Sequence, residues 1–502
     1  MPEHATPDAT QALAAAHPEL AYNALGNMGL MVSAAGFGCY RVDARVEEHH
    51  AALEKALLAG VNLIDTSTNY TDGQSELLVG QVLGRLTGAG AISREQVVVV
   101  SKAGYIQGQN YEASQARKEE GRPWPELVEL GQGLEHCLHP EFLADQLSTS
   151  LERLGLSRLD VLLLHNPEYF LGWAASQGVE LGQAREEYFR RLRQAFLHLE
   201  DEVERGRIGC YGISSNTFPH ASDHPEFTSL ARVWLVAQGL GAGHHFRVVE
   251  FPCNLLETGA VTRANQPGGQ GLLEQARQLR LGVLVNRPLN ALDGGRLVRL
   301  AEVEAGLAPT PQEVQKAIAD LQASEDQLKT RLLPNLEMET AQLGRLGDFL
   351  SAATVLEEHW NEFQGLEHWR SVEGEYFLPR IQAALQFIMD TLGDTPELRG
   401  VVENHLRRMG AAFGAVGGVY LAATAGEMAR LKERIASLDP EWAQAPLLSQ
   451  MALRAPRSTE GVSSVLVGMR RPAYVADVLE ELSRPVEQAP RQEAWRGLAQ
   501  AE

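Results

Sequence analysis

Residues 61–70, VNLIDTSTNY, run from a short apolar stretch into a carboxylate, Asp65, and then, five residues later, into Tyr70. An apolar run this short suits a strand buried on both faces, and a polar residue at its end marks the place where the strand leaves the core. The same pattern recurs in VVVVSKAG, which reaches Lys102, and in VLLLHNPE, which reaches His165. Working outward, strands are expected at 34–38, 61–65, 97–102, 160–165, 208–213, 246–251, 283–286 and, after a long interval, 464–467. Amphipathic helices fit between them, for example at 49–58, 76–86, 140–154 and 183–205. Eight β-strands alternating with helices predict an α/β fold, a (β/α)8 TIM barrel.

From about residue 300 to 440 the β-branched runs vanish and Ala, Leu, Glu and Gln dominate. This reads as an all-helical subdomain inserted between strands seven and eight, with Thr310 and Pro311 as the cap and first-turn proline of its first helix. The expected organisation is an N-terminal extension at 1–24, barrel strands one to seven at 25–300, the insertion at 301–440, the last barrel unit at 441–485 and a tail at 486–502. Within the insertion, AAFGAVGGVYLAATAG (411–426) is shorter than a membrane span and is expected to be a closely packed helix pair or a glycine-rich turn. Trp360, Trp369 and Tyr376 are expected in its core.

The chain has 502 residues, 44% of them hydrophobic, with a net charge of -21. That is enough apolar side chain for a large core, and a surface that repels phosphate backbones and anionic lipids, so neither nucleic acid nor a membrane is an expected partner. Four scattered cysteines without a CxxC pair, and an N-terminus without a basic segment followed by an apolar one, predict a reduced, cytoplasmic protein.

In a parallel barrel all strand C-termini open onto one face, where active sites form. Asp65, Tyr70, Lys102 and His165 therefore converge. An Asp65–Lys102 ion pair that merely satisfies the barrel mouth is one reading of them. The other is chemical: a phenol with an ordinary pKa of about 10 is a poor acid, but an adjacent ammonium would lower it and an imidazole would orient a substrate oxygen. Such a group suits protonation of a carbonyl oxygen as hydride reaches its carbon.

These motifs, with AAGFGCYRVD, LERLGLSRLDVLLLHNPE, GRIGCYGISSNTF, FRVVEFPCNLLE and SSVLVGMRRPAYVADVL, resemble the aldo-keto reductase superfamily in order, over roughly two thirds of the chain. The resemblance implies an NAD(P)-dependent oxidoreductase acting on a small carbonyl or alcohol. Tyr70 would be the general acid, Lys102 the residue that tunes it, Asp65 the partner of that lysine and His165 the substrate-orienting ring. It further implies cofactor contacts from Gly38, Cys39, Tyr40, Ser215, Asn216, Glu250, Asn286, Arg287, Gly468, Arg470 and Arg471, with NADP(H) favoured by the arginine pair and NAD(H) also possible. Glu250 stands where the family usually has glutamine, and Asn286 where it often has an aromatic that stacks on the nicotinamide. A cofactor-binding sensor or scaffold with little turnover is the alternative.

The long loop after Lys102 and the insertion both begin at the same end of the barrel, and they are expected to border the site as a lid. The insertion could equally form a homo-oligomer interface. Glu135, His136, Cys137 and His139 lie close in sequence but lack a second ligand group, so no metal site is expected. Gly239–Gly243 reads as a loop, and 117–122, RKEEGR, as solvated surface.

Overall fold

The computed structural model describes residues 4–393 and 395–499. Eight parallel strands close into a barrel: β1 Ala35–Gly38, β2 Leu63–Asp65, β3 Val98–Ala103, β4 Leu159–His165, β5 Ile208–Ser214, β6 Phe246–Pro252, β7 Gly282–Asn286 and β8 Ser464–Val467. Their spatial order is the order of the chain, with β8 pairing β1. The strands appear where the apolar runs predict them, because a barrel strand is buried inside by its neighbours and outside by helices such as Glu47–Leu58, Gln74–Gly88, Pro140–Leu154 and Leu181–Glu204.

Leu63, Val98, Val100, Val161, Leu163, Val248, Leu284 and Leu466 form one cluster of almost fully buried side chains. Burying each contributes roughly 1.5–3 kcal/mol relative to exposure, so the β-branched and leucine-rich runs that mark the strands also hold the barrel closed. Leu25, Leu30 and Val32, from the antiparallel hairpin of Tyr22–Ala24 and Met31–Ser33, join the same cluster. The helix Pro7–Ala16, capped by the Thr6 hydroxyl, precedes that hairpin.

The chain divides into two compact units, residues 1–291 with 435–502 and residues 292–434. In the second, Pro311–Arg331 starts with the Thr310 cap and first-turn Pro311, and Glu313 completes a capping box. The helices Thr340–Phe349, Ala352–His359, Leu366–Ser371 and Leu378–Leu392 follow. Their core includes Val314, Leu321, Leu356, Trp369, Phe377, Ile388 and Phe413, with Trp360 packed against it. Tyr376 departs from expectation: it is 44% exposed, and the Arg380 guanidinium covers its ring 3.7 Å from the centroid.

The glycine-rich run also departs from expectation. It makes no turn but lies within one 43-residue helix, Pro396–Leu438, which packs on Trp369 of the helix Leu366–Ser371 and is long and apolar enough by length and composition to cross a membrane. Glycine costs a helix interior about 1 kcal/mol relative to alanine. Here it also permits close approach: a Cβ on Gly417 would lie 2.9 Å from Trp369 Nε1, and one on Gly418 3.0 Å from Pro309 Cγ.

Candidate active site

β2, β3 and β4 deliver Asp65, Lys102 and His165 to the mouth of the barrel by ending there. The Lys102 ammonium is fully buried and donates to both Asp65 oxygens, Oδ1 at 2.5 Å and Oδ2 at 2.6 Å. Its third donor reaches Tyr70 Oη at 3.3 Å. Tyr70 opens a short 3-10 turn in which Thr71 and Asp72 take left-handed backbone angles, φ 47° and 54°, rarely adopted by residues with side chains. That turn carries the phenol back over the strand ends.

His165 is 7% exposed and stands edge-on to Tyr70, with ring centroids 5.8 Å apart. Its Nδ1 lies 3.1 Å from Ser67 Oγ, and its backbone carbonyl lies 2.7 Å from His136 Nε2. Tyr105 stands edge-on to the same ring at 4.6 Å, its hydroxyl held by Asn166 Nδ2 at 2.7 Å. The long loop after β3 thus borders the site through Tyr105 and His136, which belong to a small three-stranded sheet with Val128–Gly131.

Glu250, near the end of β6, and Asn286, the last residue of β7, lie beside this group. Glu250 Oε1 accepts from Ser214 Oγ at 3.0 Å and from Asn286 Nδ2 at 2.8 Å, while Oε2 lies 3.3 Å from Lys102 Nζ. Glu250 Oε2 and Asn286 Oδ1 are buried with no hydrogen-bond donor. Buried polar atoms usually have partners, so these two mark a place where a ligand amide would supply the missing donors.

Electrostatics differ from the sequence expectation at the phenol. Burial pushes Tyr70 above its ordinary range; Lys102 pulls it down, but Asp65 and Glu250 oppose that pull. Asp65 is pushed up to about 8, by burial first and then by the Glu250 charge. Burial favours neutral Lys102, but the two carboxylates outweigh it and hold the ammonium charged well beyond the usual lysine range. Burial, with Lys102 and His136 nearby, keeps His165 far below the usual histidine range and so neutral.

Tyr40 stacks edge-on to Tyr70 with centroids 5.2 Å apart and is 63% exposed. Cys39 is buried, its backbone N–H donating to the Asp65 carbonyl at 2.9 Å, and a Cβ on Gly38 would lie 3.3 Å from the Val467 backbone. Ser215 follows β5 and its N–H donates to the Glu250 carbonyl at 3.0 Å. The Asn216 N–H donates to Glu168 Oε1 at 2.8 Å. Arg287 is tied to Glu257 at 2.5 Å. Gly468 is exposed, and Arg470 and Arg471 precede the helix Pro472–Leu482, with Arg471 3.5 Å from Glu48.

Ser67, Tyr105 and Glu168 carry no sequence signal that marks them; each gains its role only from the strand end folded against it. Among the described residues no group of three or more His, Cys, Asp or Glu is arranged to hold a metal. Glu135 is taken instead by Ser114, Gln115 and Lys118. The 117–122 run is less solvated than expected, because Arg117 lies over the Trp124 ring at 3.6 Å and Lys118 binds Glu129 and Glu135.

Fold and strand-end side chains together define a class: a (β/α)8 barrel with a tyrosine, a lysine, an aspartate and a histidine gathered at its C-terminal mouth. Residues 36–226 match the model of the aldo/keto reductase family. The chain is 27% identical over 171 residues to the NADH-specific methylglyoxal reductase of Escherichia coli, covering 34% of this chain and 42% of that protein. It is 30% identical over 204 residues to D-threo-aldose 1-dehydrogenase of Pseudomonas, covering 37% and 51%. The chain thus spans about half the length of these curated relatives or less. Among solved structures, an aldo/keto reductase of Klebsiella pneumoniae in complex with NADP and acetate is 21% identical, with a TM-score of 0.32, covering 53% of this chain and 67% of that one.

Proposed function

We propose that this protein is a nicotinamide-dependent oxidoreductase that interconverts a small carbonyl compound and its alcohol. The observation that carries the reading is the Lys102 ammonium, shared between Asp65 at 2.5 Å and the Tyr70 hydroxyl at 3.3 Å. It ties the phenol into a charged network at the barrel mouth, where a proton can be given to or taken from a substrate oxygen. The lysine stabilises the phenolate left after donation, Asp65 keeps the lysine charged and in place, and neutral His165 orients the substrate oxygen. Ser67, on Nδ1 of His165, leaves Nε2 to face that oxygen.

The unpartnered Glu250 Oε2 and Asn286 Oδ1, with Ser215 and Asn216 alongside, fit the amide end of a nicotinamide, and Arg287, Arg470 and Arg471 suit its phosphates. Bound there, the cofactor supplies or accepts the hydride. The arginine pair beside a helix start favours the 2'-phosphorylated form, while the relative from Escherichia coli is named as NADH-specific, so NADP(H) and NAD(H) are both to be assayed.

The test is oxidation or reduction of NAD(H) and NADP(H) with a panel of aldehydes, ketones and sugars. Wild-type turnover is expected, with Tyr70→Phe losing about 100- to 10,000-fold in kcat and keeping its cofactor Kd within about twofold. Full activity of Tyr70→Phe would refute the assignment. Tight cofactor binding with no turnover of any substrate would favour a sensor.

A further inference from the structure

An ammonium has three N–H donors, and those of Lys102 are directed to the two Asp65 oxygens and to Tyr70. Glu250 therefore meets the lysine's charge at 3.3 Å without receiving one of its protons, and Oε2 stays buried with no donor. The Glu250 side chain is only 2% exposed and is held in place through Oε1 by Ser214 and Asn286. Two buried carboxylates thus face one buried ammonium, with neutral His165 next to them, and once both are ionised, above the value of about 8 to which burial and Glu250 push Asp65, one negative charge is in excess. In a desolvated site such an excess acts on a ligand far more strongly than it would in water.

The oxidised and reduced forms of a nicotinamide differ by one positive charge on the ring. We propose that Glu250 is a specificity-determining residue whose carboxylate makes this site bind the oxidised, cationic nicotinamide in preference to the neutral reduced form. The inference rests on the reading under Proposed function. Asn286 reinforces it: one of its two amide N–H groups donates to Glu250, and its buried Oδ1 is a second electronegative atom with no donor. A glutamine at 250 would offer the same shape with a dipole and no net charge.

The experiment is fluorescence titration of the full-length protein at pH 9, where Asp65 and Glu250 are both ionised, without substrate, using NAD+, NADH, NADP+ and NADPH. In the wild type, the oxidised form of the better-bound dinucleotide is expected to bind more tightly than the reduced form. Glu250→Gln should raise the ratio of oxidised to reduced Kd on the order of tenfold. Glu250→Asp, which keeps the charge, should stay within about twofold of wild type. A wild type that prefers the reduced form, or a Glu250→Gln ratio unchanged within about twofold, would overturn the inference while leaving the oxidoreductase reading intact. Failure of the wild type to bind any of the four would overturn the oxidoreductase reading instead. The wild-type comparison decides the matter even if Glu250→Gln does not fold.

Discussion

Lys102 Nζ sits 2.5 Å and 2.6 Å from the two oxygens of Asp65, and both side chains are buried. Removing the lysine leaves two carboxylates without a counter-charge, whereas removing the Asp65 charge leaves the lysine facing Glu250. Lys102→Met is therefore expected to cost about 3–5 kcal/mol and Asp65→Asn distinctly less. Urea unfolding of the two variants measures this. Equal losses would show that Glu250 does not act as a partner of the lysine.

Glu168 lies in the core beside β5, with Oε1 accepting from the Asn216 N–H and Oε2 unpartnered. Burial pushes its carboxyl up from 4.5 to about 7. The folded state therefore binds this proton more tightly than the unfolded chain, so the contribution is full below about pH 4.5 and is lost as pH rises through 7. Glu168→Gln keeps the acceptor and removes the titration. Its stability relative to wild type should rise between pH 5 and pH 8, by on the order of 3 kcal/mol. A difference that does not change with pH would contradict this.

Two glycines of the long helix should respond in opposite ways. A Cβ on Gly410 would meet nothing within 4 Å, so Gly410→Ala is expected to stabilise residues 292–434 by up to about 1 kcal/mol. A Cβ on Gly417 would press on Trp369, so Gly417→Val should destabilise them by about 1–3 kcal/mol. Calorimetry of the full chain reads both, and the same sign for the two would refute the packing argument.

Arg470 and Arg471 are expected to distinguish the two forms of the cofactor by holding the 2'-phosphate. With both replaced by alanine, binding of the 2'-phosphorylated dinucleotide should weaken at least about tenfold while binding of the unphosphorylated one changes little. Titration with both forms checks it, and equal weakening would place the arginines at a phosphate common to both.

Strand positions and the residues that end them were legible because both are local. A buried strand is written as an apolar run, and its last polar residue stands at the mouth whatever the neighbours do. Asp65, Lys102 and His165 are of this kind. The partners are not local. Ser67 reaches His165, and Asn286 reaches Glu250, only because strand pairing sets β2 and β4 on either side of β3 and β6 beside β7. The unbroken helix Pro396–Leu438 was illegible for a related reason: glycine spacing alone does not say whether a neighbour such as Trp369 fills the space that glycine leaves.

The amino-acid sequence by itself determined a parallel eight-stranded barrel and the set of side chains at its mouth, because period and strand length dictate both. Only the tertiary structure decided the charge balance among them. Glu250 joins Asp65 beside Lys102, and burial first, with the Asp65 and Glu250 charges opposing the pull of Lys102, turns the expected lowering of the Tyr70 pKa into a rise. Electrostatic energy depends on distance and desolvation, and neither is defined until the barrel closes.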